Sequence, residues 1–480
     1  MKQRPIVYAY WLLIDSIIAY GVYYLSLGAV MSEPNAEDYA LSIEPRDLGL
    51  IPSVVNLLVY FDSRYTANLL HSLNVLVLNR YDLFWIMPMS CLVGLWLSSY
   101  FLLGSWWPRQ GNRLKLGVGA ALLVVGYYTV CPSLPFGLYY MASTFTYIFP
   151  CMFWMLWVGS LWRSVEEEKH TSIYSLVGLS ALVLSFGSSE LFIVINALTL
   201  TSFIVYALLK NWRLLYAIFP YGLVAIGCLL FILNCPSNKF TNERIWGELN
   251  ERYAGTHFIL VSMLYFIKWT FKTFFSLTSF SFFLCFTALL LATKSKPLNA
   301  LTTKQTLLFY GIIQLLLYFS SWVYFMPRGS TNDHPVYILN VLIFFNLLAT
   351  YLLLAPLFLK SKLFKLLSER NHKMIIGLCL CLVFLALDNN NFALINREYT
   401  SGVLSDVKKK QAAFYKQVDS VKQLQLHPTI VYFQNPTVRP QSNYHGPDVM
   451  PNREAADWNY AYEKYFGVDE VRLMGDTLFK

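Results

Sequence analysis

Charged residues are scarce in this chain, and the motifs of several common enzyme classes are missing. Asp, Glu, Lys and Arg make up 14% of the 480 residues, whereas 56% are hydrophobic and the mean hydropathy is +0.45. No Gly-rich loop ends in Lys to hold a nucleotide phosphate, and no GxGxxG, HExxH or GxSxG motif occurs. These absences argue against nucleotide hydrolysis, dinucleotide-dependent redox chemistry, zinc proteolysis and serine hydrolysis.

Cysteine is also sparse and lacks the spacing of a structural site. The eight cysteines are scattered, no CxxC pair occurs, and none lies after residue 388. Cys379 and Cys381 sit inside an apolar run. The sequence therefore predicts neither a disulfide framework nor a thiolate metal site.

Long apolar runs are what the chain has in abundance. Each is long enough to cross about 30 Å of hydrocarbon as a helix of roughly 20 residues. The runs are rich in Leu and Phe, and they lack the alternation of apolar and polar residues that membrane strands show over about ten residues. This favours an all-α polytopic membrane protein over a barrel. We predict eleven spans, at about residues 7–31, 83–104, 115–131, 142–162, 173–188, 191–209, 214–234, 275–293, 305–325, 336–359 and 374–388.

The distribution of basic residues orients this bundle. With a cytoplasmic N-terminus, the short inner loops carry 17 Lys and Arg residues. The longer outer loops carry seven, not counting those in two apolar stretches that are expected to lie in the interface. The first apolar stretch is too long for a signal peptide core and is interpreted as an uncleaved anchor. We therefore expect a membrane protein with a transmembrane domain at 1–388 and an extracytoplasmic C-terminal domain at 389–480.

The net charge of +9 belongs to the membrane part, because the tail from Asp388 to Lys480 holds 11 basic and 11 acidic residues. Basic loops that orient a membrane protein do not indicate nucleic acid, so no nucleic-acid partner is expected. Within the tail, a helix over 401–424, a strand at 429–433 and a helix at 455–466 closed by Gly467 predict a small α/β unit.

Two outer stretches, 51–60 and 257–275, are apolar yet interrupted by or next to charges, and we predict interfacial helices there. Lys268 and Lys272 are four residues apart and share one helix face. They are expected either to bind a lipid phosphate or simply to snorkel to the interface.

The most informative polar group is an acidic pair, Glu37 and Asp38, in the first outer loop. A carboxylate there is suited to accept the proton of an attacking hydroxyl, and burial beside other acids would raise its pKa. Asp38 is our first candidate for such a base, and the alternative is a solvated acidic loop. Glu190 lies between two apolar runs, where a carboxylate needs either a function or a structural ion pair.

Further polar residues are predicted near the same outer boundary, where loops of a bundle converge on a site. Arg328 is the basic residue of a short outer loop and suits a phosphate, although a plain loop charge explains it equally well. His334 is a candidate proton shuttle or a structural histidine, and Tyr147 belongs to an aromatic wall or an aromatic belt. The group also includes Arg64, Asn68, His71 and Asp333.

Taken in order, these segments resemble the GT-C-type superfamily of polyprenyl-phosphate-sugar-dependent glycosyltransferases. The chain is most similar to bacterial polytopic proteins that look like serotype-converting O-antigen glucosyltransferases. The resemblance rests on Glu37-Asp38-Tyr39, Ser63-Arg64-Tyr65-Thr66-Ala67-Asn68, Phe145-Thr146-Tyr147-Ile148-Phe149-Pro150, Glu190, Pro327-Arg328, Asp457-Trp458-Asn459 and Tyr465-Phe466-Gly467.

The resemblance implies a GT-C-like fold and a site for a sugar donor on a lipid phosphate. It makes Asp38 the catalytic base, Glu37 an assistant or metal contact, and Arg328 a phosphate holder. Glu37-Asp38 stands where Asp-Asp is common, and Phe145-Thr146-Tyr147 where Ala-Asn-Tyr is usual. The other substrate-binding candidates are Arg64, Asn68, Tyr147, Glu190, His334, Lys268 and Lys272.

We therefore expect an inverting glycosyltransferase that moves a sugar from a polyprenyl phosphate carrier to a glycan or lipid acceptor outside the membrane. No cofactor is required by the sequence, and a divalent metal is left open. One alternative is a polysaccharide polymerase or ligase acting on lipid-linked glycans. Another is a lipid-linked sugar translocase, which the absence of a charged path through span centres disfavours.

Overall fold

A computed structural model describes residues 4–106, 113–166, 172–238, 303–325, 336–354, 390–424, 428–434, 440–442 and 456–473, with isolated positions between 267 and 287 and at 357 and 438. Helices dominate these residues. Numbered in chain order, the α-helices are α1 (Arg4–Val30), α2 (Ala36–Leu48), α3 (Leu50–Tyr60), α4 (Tyr65–Ser72), α5 (Ile86–Trp106), α6 (Arg113–Val130), α7 (Phe149–Glu166), α8 (Ser172–Phe186), α9 (Glu190–Lys210), α10 (Leu215–Leu233), α11 (Thr303–Phe325), α12 (Val336–Ala349), α13 (Asn391–Thr400), α14 (Val403–Gln423) and α15 (Ala456–Phe466).

Shorter helical turns connect these elements. One helical turn, Met141–Ser143, lies between two π-helical turns and leads into α7, and a third π-helical turn follows α12. The short turns are Val75–Leu78, Tyr81–Leu83, Pro135–Tyr139, Met141–Ser143, Thr144–Ile148, Trp212–Leu214 and Thr350–Leu354.

Seven helical segments among the described residues are long and apolar enough to cross a membrane. They are Trp11–Val30, Tyr81–Trp106, Arg113–Val130, Met141–Val165, Glu190–Leu208, Trp212–Leu233 and Val336–Leu354. These match seven of the eleven predicted spans. The predicted spans at 173–188 and 305–325 correspond to the shorter apolar helices Ile173–Phe186 and Thr306–Ser320, and those at 275–293 and 374–388 lie almost entirely outside the described residues.

Neutral polar side chains tie the apolar helices together. Trp157 in α7 donates its indole N–H to Oδ1 of Asn196 in α9 at 3.0 Å, and Ser185 in α8 bonds the same amide. Asn340 in α12 donates to the carbonyl of Ser133 at 2.7 Å and accepts from its N–H at 3.0 Å. A buried amide with both partners supplied costs far less than an unpaired one, so these contacts fix how the helices pack.

Helices α2, α3 and α4 form the loop between the first two spans. Gly49 joins α2 to α3 with φ of +87°, a left-handed conformation that favours glycine. Helix α3 confirms the helix predicted at 51–60, and its Ile51, Val55 and Tyr60 side chains are exposed. A short helix with exposed apolar side chains is suited to lie in the membrane interface.

The C-terminal residues form a small α/β unit, as the sequence predicted. Strand β1 (Ile430–Phe433) pairs in parallel with β2 (Glu470–Leu473), and α15 makes the crossover. Gly467, with φ of +62°, ends α15. Strand β1 and helices α14 and α15 agree with the predicted elements to within about two residues, which is the usual uncertainty of helix and strand ends.

This unit packs directly on the first loop. The ring of Tyr39 in α2 lies 4.6 Å from Tyr465, 5.1 Å from Tyr462 and 5.2 Å from Phe466, all on α15. The Tyr39 hydroxyl also meets the Tyr415 hydroxyl at 2.7 Å. Aromatic burial of this kind holds the C-terminal unit against α2.

The ends of several spans meet on this same side of the bundle, which we call the loop face. Lys408 donates to the carbonyl of Val30 at the end of α1, and Asn391 donates to the carbonyl of Tyr128 near the end of α6. The N–H of Thr66 donates to the carbonyl of Gly187 just after α8 at 2.8 Å. The first loop and the C-terminal unit therefore share one face.

Gly187 leaves room for the ring of Tyr65, which donates its hydroxyl to the carbonyl of Val183 at 2.7 Å. A Cβ at position 187 would clash with the ring carbons of Tyr65. We expect Gly187→Ala to displace this ring and to lower stability by about 1–3 kcal/mol, the usual effect of overpacking. Thermal unfolding in detergent measures it.

Gly222→Ala is the matched control, because a Cβ there would meet no atom within 4 Å. Equal melting temperatures for Gly187→Ala and Gly222→Ala would contradict the close contact between Gly187 and Tyr65.

The Tyr415 hydroxyl should hold the C-terminal unit in place. It contacts the Tyr39 hydroxyl, accepts from Gln411 at 2.9 Å and donates to Glu33 at 3.3 Å. Tyr415→Phe leaves these groups short of a partner, and an unsatisfied buried polar group costs about 1–3 kcal/mol. Limited proteolysis should cleave the C-terminal unit of Tyr415→Phe faster than that of the exposed control Tyr460→Phe, and equal rates would contradict the contact.

Candidate functional site

The acidic pair lies at the start of α2, where Asp38 closes a capping box. Asn35 accepts from the N–H of Asp38 at 2.9 Å, and Asp38 Oδ2 accepts from the N–H of Asn35 at 3.2 Å. Asp38 Oδ1 also accepts from the N–H of Ala142 at 3.1 Å. One buried carboxylate therefore joins the start of α2 to the helical turn Met141–Ser143, and helix N-termini favour negative charge there.

The two acids have different surroundings. Burial raises the pKa of Asp38 to about 8, although the hydrogen bonds from Asn35 and Ala142 lower it, and the neighbouring Glu37 charge raises it further. Burial also raises the pKa of Glu37, while the charge of Arg64 lowers it. The carboxylate of Glu37 makes no hydrogen bond to any residue that the structure describes, so it is the less occupied of the two acids.

Arg64 is the cation of the site. Its guanidinium Nη2 lies 3.1 Å from one carboxylate oxygen of Glu190 and 3.2 Å from the other. Asp62 lies 3.8 Å from the same guanidinium and accepts from the Asn68 side chain at 3.1 Å. Arg64, Asn68 and Glu190, all predicted from the sequence to bind substrate, are thus brought together.

Glu190 therefore forms an ion pair, which is one of the two explanations for a carboxylate between two apolar runs. Its side chain is 52% exposed, so water screens the pair, and such pairs contribute about 0–1 kcal/mol. The pair therefore adds little stability but fixes where the Arg64 charge sits. The loop containing Arg64 and the start of α9 are linked by it across 126 residues of sequence.

His71 is a buried histidine next to this cation. Its side chain is 6% exposed and its ring lies 5.3 Å from that of Phe145 in an edge-to-face arrangement. Burial, and then the charge of Arg64, lower the pKa of His71 to about 3, which keeps the imidazole neutral. His71 has no role assigned from the sequence alone. The feature that could have identified it is its spacing, seven residues after Arg64 and three after Asn68, which places the three residues on one helix face.

Tyr147 is buried in the π-helical turn before α7. Its ring stacks on Tyr337 of α12 at 4.4 Å with an interplanar angle of 22°. The hydroxyl of Thr146, in the same turn, donates to the carbonyl of Ala142 at 2.8 Å. The turn therefore carries Phe145 towards His71 and Tyr147 towards α12.

Most of the basic residues predicted to hold phosphate, and the candidate proton shuttle, lie outside the described part of the chain. Arg328, His334 and Lys272 lie outside the described residues, and Lys268 is a helical position with an exposed side chain. Within the part of the chain that the structure describes, no three His, Cys, Asp or Glu side chains form a group able to hold a metal ion. The metal contact expected of Glu37 stays a prediction.

No protein-family model, curated protein or solved structure matches the chain. Its chemistry is therefore inferred from its own residues and their arrangement.

Asp38 and Glu37 should differ in their effect on stability. Asp38→Asn places an amide N–H₂ against one of two backbone N–H donors, and loss of a helix cap costs about 0.5–2 kcal/mol. Glu37→Gln removes no described hydrogen bond, so its effect should stay within about 0.5 kcal/mol. Thermal unfolding of the two purified variants measures the difference, and a Glu37→Gln protein that melts as low as Asp38→Asn would contradict these assignments.

Proposed function

We propose that this protein is a membrane glycosyltransferase that moves a sugar from a polyprenyl phosphate carrier to a glycan or lipid acceptor outside the bacterial inner membrane. The observation that carries the proposal is the position of Glu37 and Asp38. Glu37 lies in the field of Arg64, and Asp38 is the next residue, at one end of a bundle of membrane-length helices. A lipid-linked donor would keep its chain in the bilayer while its head group reaches these acids.

The reaction needs a base and a means of accepting negative charge. The acceptor hydroxyl oxygen attacks the anomeric carbon, the bond from that carbon to the phosphate oxygen breaks, and the hydroxyl proton passes to a carboxylate. The carrier leaves as a polyprenyl phosphate anion. A single displacement with one base inverts the anomeric carbon. From the sequence, Arg328 with Lys268 or Lys272 neutralises the leaving phosphate.

The two acids divide the work in this proposal. Both oxygens of Asp38 accept backbone N–H groups, which fixes the turn and leaves it little freedom to move with a proton. Glu37 has no described hydrogen bond and lies in the field of Arg64. Glu37 accepts the proton of the attacking hydroxyl, and Asp38 fixes the turn that positions Glu37. This proposal exchanges the two roles implied by the resemblance, which made Asp38 the base and Glu37 an assistant or metal contact.

The loop around the acids suits a lipid-linked substrate. Helix α3 follows α2 directly and exposes Ile51, Val55 and Tyr60. An apolar face beside a polar site lets the carrier chain and the sugar occupy different surroundings. The charge bias that puts basic residues in the opposite loops predicts that this helix lies on the extracytoplasmic side of the membrane.

Variants of the acids and of Arg328 test the proposal in a deletion strain complemented with each gene. We expect Glu37→Gln and Arg328→Ala to remove at least 90% of the surface glycan modification at normal protein levels, because each lacks a group that the reaction needs. Mass spectrometry of surface glycans measures it. Asp47→Asn is the control, since Asp47 is an exposed acid of α2 that pairs with Arg46.

The pH profile adds a second readout with the purified protein. The base must be ionised, and burial raises the pKa of Glu37 above the ordinary value of a glutamate. Transfer should therefore accelerate as pH rises through a range above that ordinary pKa and level off at higher pH. Full glycan modification in both Glu37→Gln and Asp38→Asn would end the proposal, whereas loss in well-folded Asp38→Asn alone would make Asp38 the base.

A further inference from the structure

One face of α4 carries three polar side chains that the packing holds beside the acids. Arg64 caps the helix, and Asn68 and His71 follow at spacings of four and three residues, so the three share a face. Asn68 and His71 are both buried. Asn68 is tied to Asp62, and Arg64 to Glu190. His71 is the member of this face whose polar atoms are not used.

The imidazole of His71 has unmet hydrogen-bonding capacity. A neutral imidazole has one N–H donor and one nitrogen acceptor. Neither ring nitrogen makes a hydrogen bond to a residue that the structure describes, although His71 is only 6% exposed. The ring nitrogens are not among the fully enclosed unpaired atoms, so they keep hydrogen-bonding capacity for a ligand that reaches them.

Two other buried polar atoms around the site share this property. Nδ2 of Asn35 and Oγ1 of Thr66 have no hydrogen-bond partner among the described residues. Asn35 precedes the acidic pair, and Thr66 is in the first turn of α4. Polar atoms without a described partner therefore occur at the starts of both helices, next to the acids.

The charge state of His71 limits what this group is. Burial and the neighbouring Arg64 cation both disfavour the imidazolium, so the ring is a weak partner for an anion. A neutral group that both donates and accepts, such as a hydroxyl, fits a neutral imidazole. The buried ring of Phe145 packs edge-to-face on that of His71 at 5.3 Å and fixes the orientation of the imidazole.

We propose that His71 binds a ring hydroxyl of the sugar on the donor and that the ring of Phe145 holds the imidazole in position for it, so that the two residues help to select the sugar. The inference rests on the proposed function. His71 lies on the helix that carries Arg64, and Phe145 lies three residues from Ala142, whose N–H holds Asp38. The selecting residues and the acids are therefore joined through the same short turns.

Binding of defined carriers to the full chain in lipid nanodiscs tests the inference. The probes are undecaprenyl phosphate alone and undecaprenyl phosphates bearing glucose, galactose or N-acetylglucosamine. We expect the wild-type protein to prefer one sugar-bearing carrier. His71→Phe, which keeps a flat ring without polar atoms, should weaken that carrier about tenfold, the scale of one hydrogen bond, and leave undecaprenyl phosphate unchanged.

His71→Gln is the matched variant, because an amide keeps one donor and one acceptor group, and it should recover part of the preference. Ring-nitrogen NMR of the wild-type protein labelled with ¹⁵N-histidine gives a readout without any substitution, since a histidine that stays neutral should shift when the preferred carrier is added. This measurement decides the matter even where His71→Phe does not fold.

The outcomes separate the two proposals. Unchanged sugar preference in folded His71→Phe, or no shift of a histidine signal in the wild-type protein, would overturn the role of His71 and leave the glycosyltransferase proposal standing. A wild-type protein that binds no sugar-bearing carrier better than undecaprenyl phosphate would overturn both.

Discussion

The arrangement of the loop face depends on one buried carboxylate. Asp38 accepts the N–H of Asn35 through one oxygen and the N–H of Ala142 through the other, so a single side chain satisfies donors at two helix starts. These donors have no partner within their own helices, and burying them without one would be costly. The acidic turn, α2 and the turn before α7 are therefore fixed relative to one another, and this places Glu37 near Arg64.

The C-terminal unit completes this arrangement from the other side. Tyr39, the residue after Asp38, is fully buried among Tyr462, Tyr465 and Phe466. The Tyr415 hydroxyl accepts from Gln411 and donates to Glu33, so its remaining lone pair is the acceptor for the Tyr39 hydroxyl. The unit at the end of the chain thus buries the residue next to the acids, and the tail is structurally part of the site.

The bundle and the loop face use polar residues differently. Between helices, Asn196 and Asn340 are neutral and have partners on neighbouring elements, which holds helices at fixed positions in an apolar medium. On the loop face, carboxylates, an arginine and a neutral histidine lie near one another, and Glu37 and His71 keep unused hydrogen-bonding groups within the described residues. The loop face is therefore the better place for a reaction, because its unused polar groups can bind a substrate.

The sequence by itself determined the class of the protein and most of its elements. Hydropathy and run length predict the membrane-length helices, and turn and strand signals predict α14, β1 and α15, because these depend on local composition and periodicity. The sequence also pointed to Glu37, Asp38, Arg64 and Glu190. Only the tertiary structure decided that Arg64 pairs with Glu190, that Asp38 caps two helices and that His71 is buried without a hydrogen bond to any described residue, since partners distant in sequence set hydrogen bonding and burial.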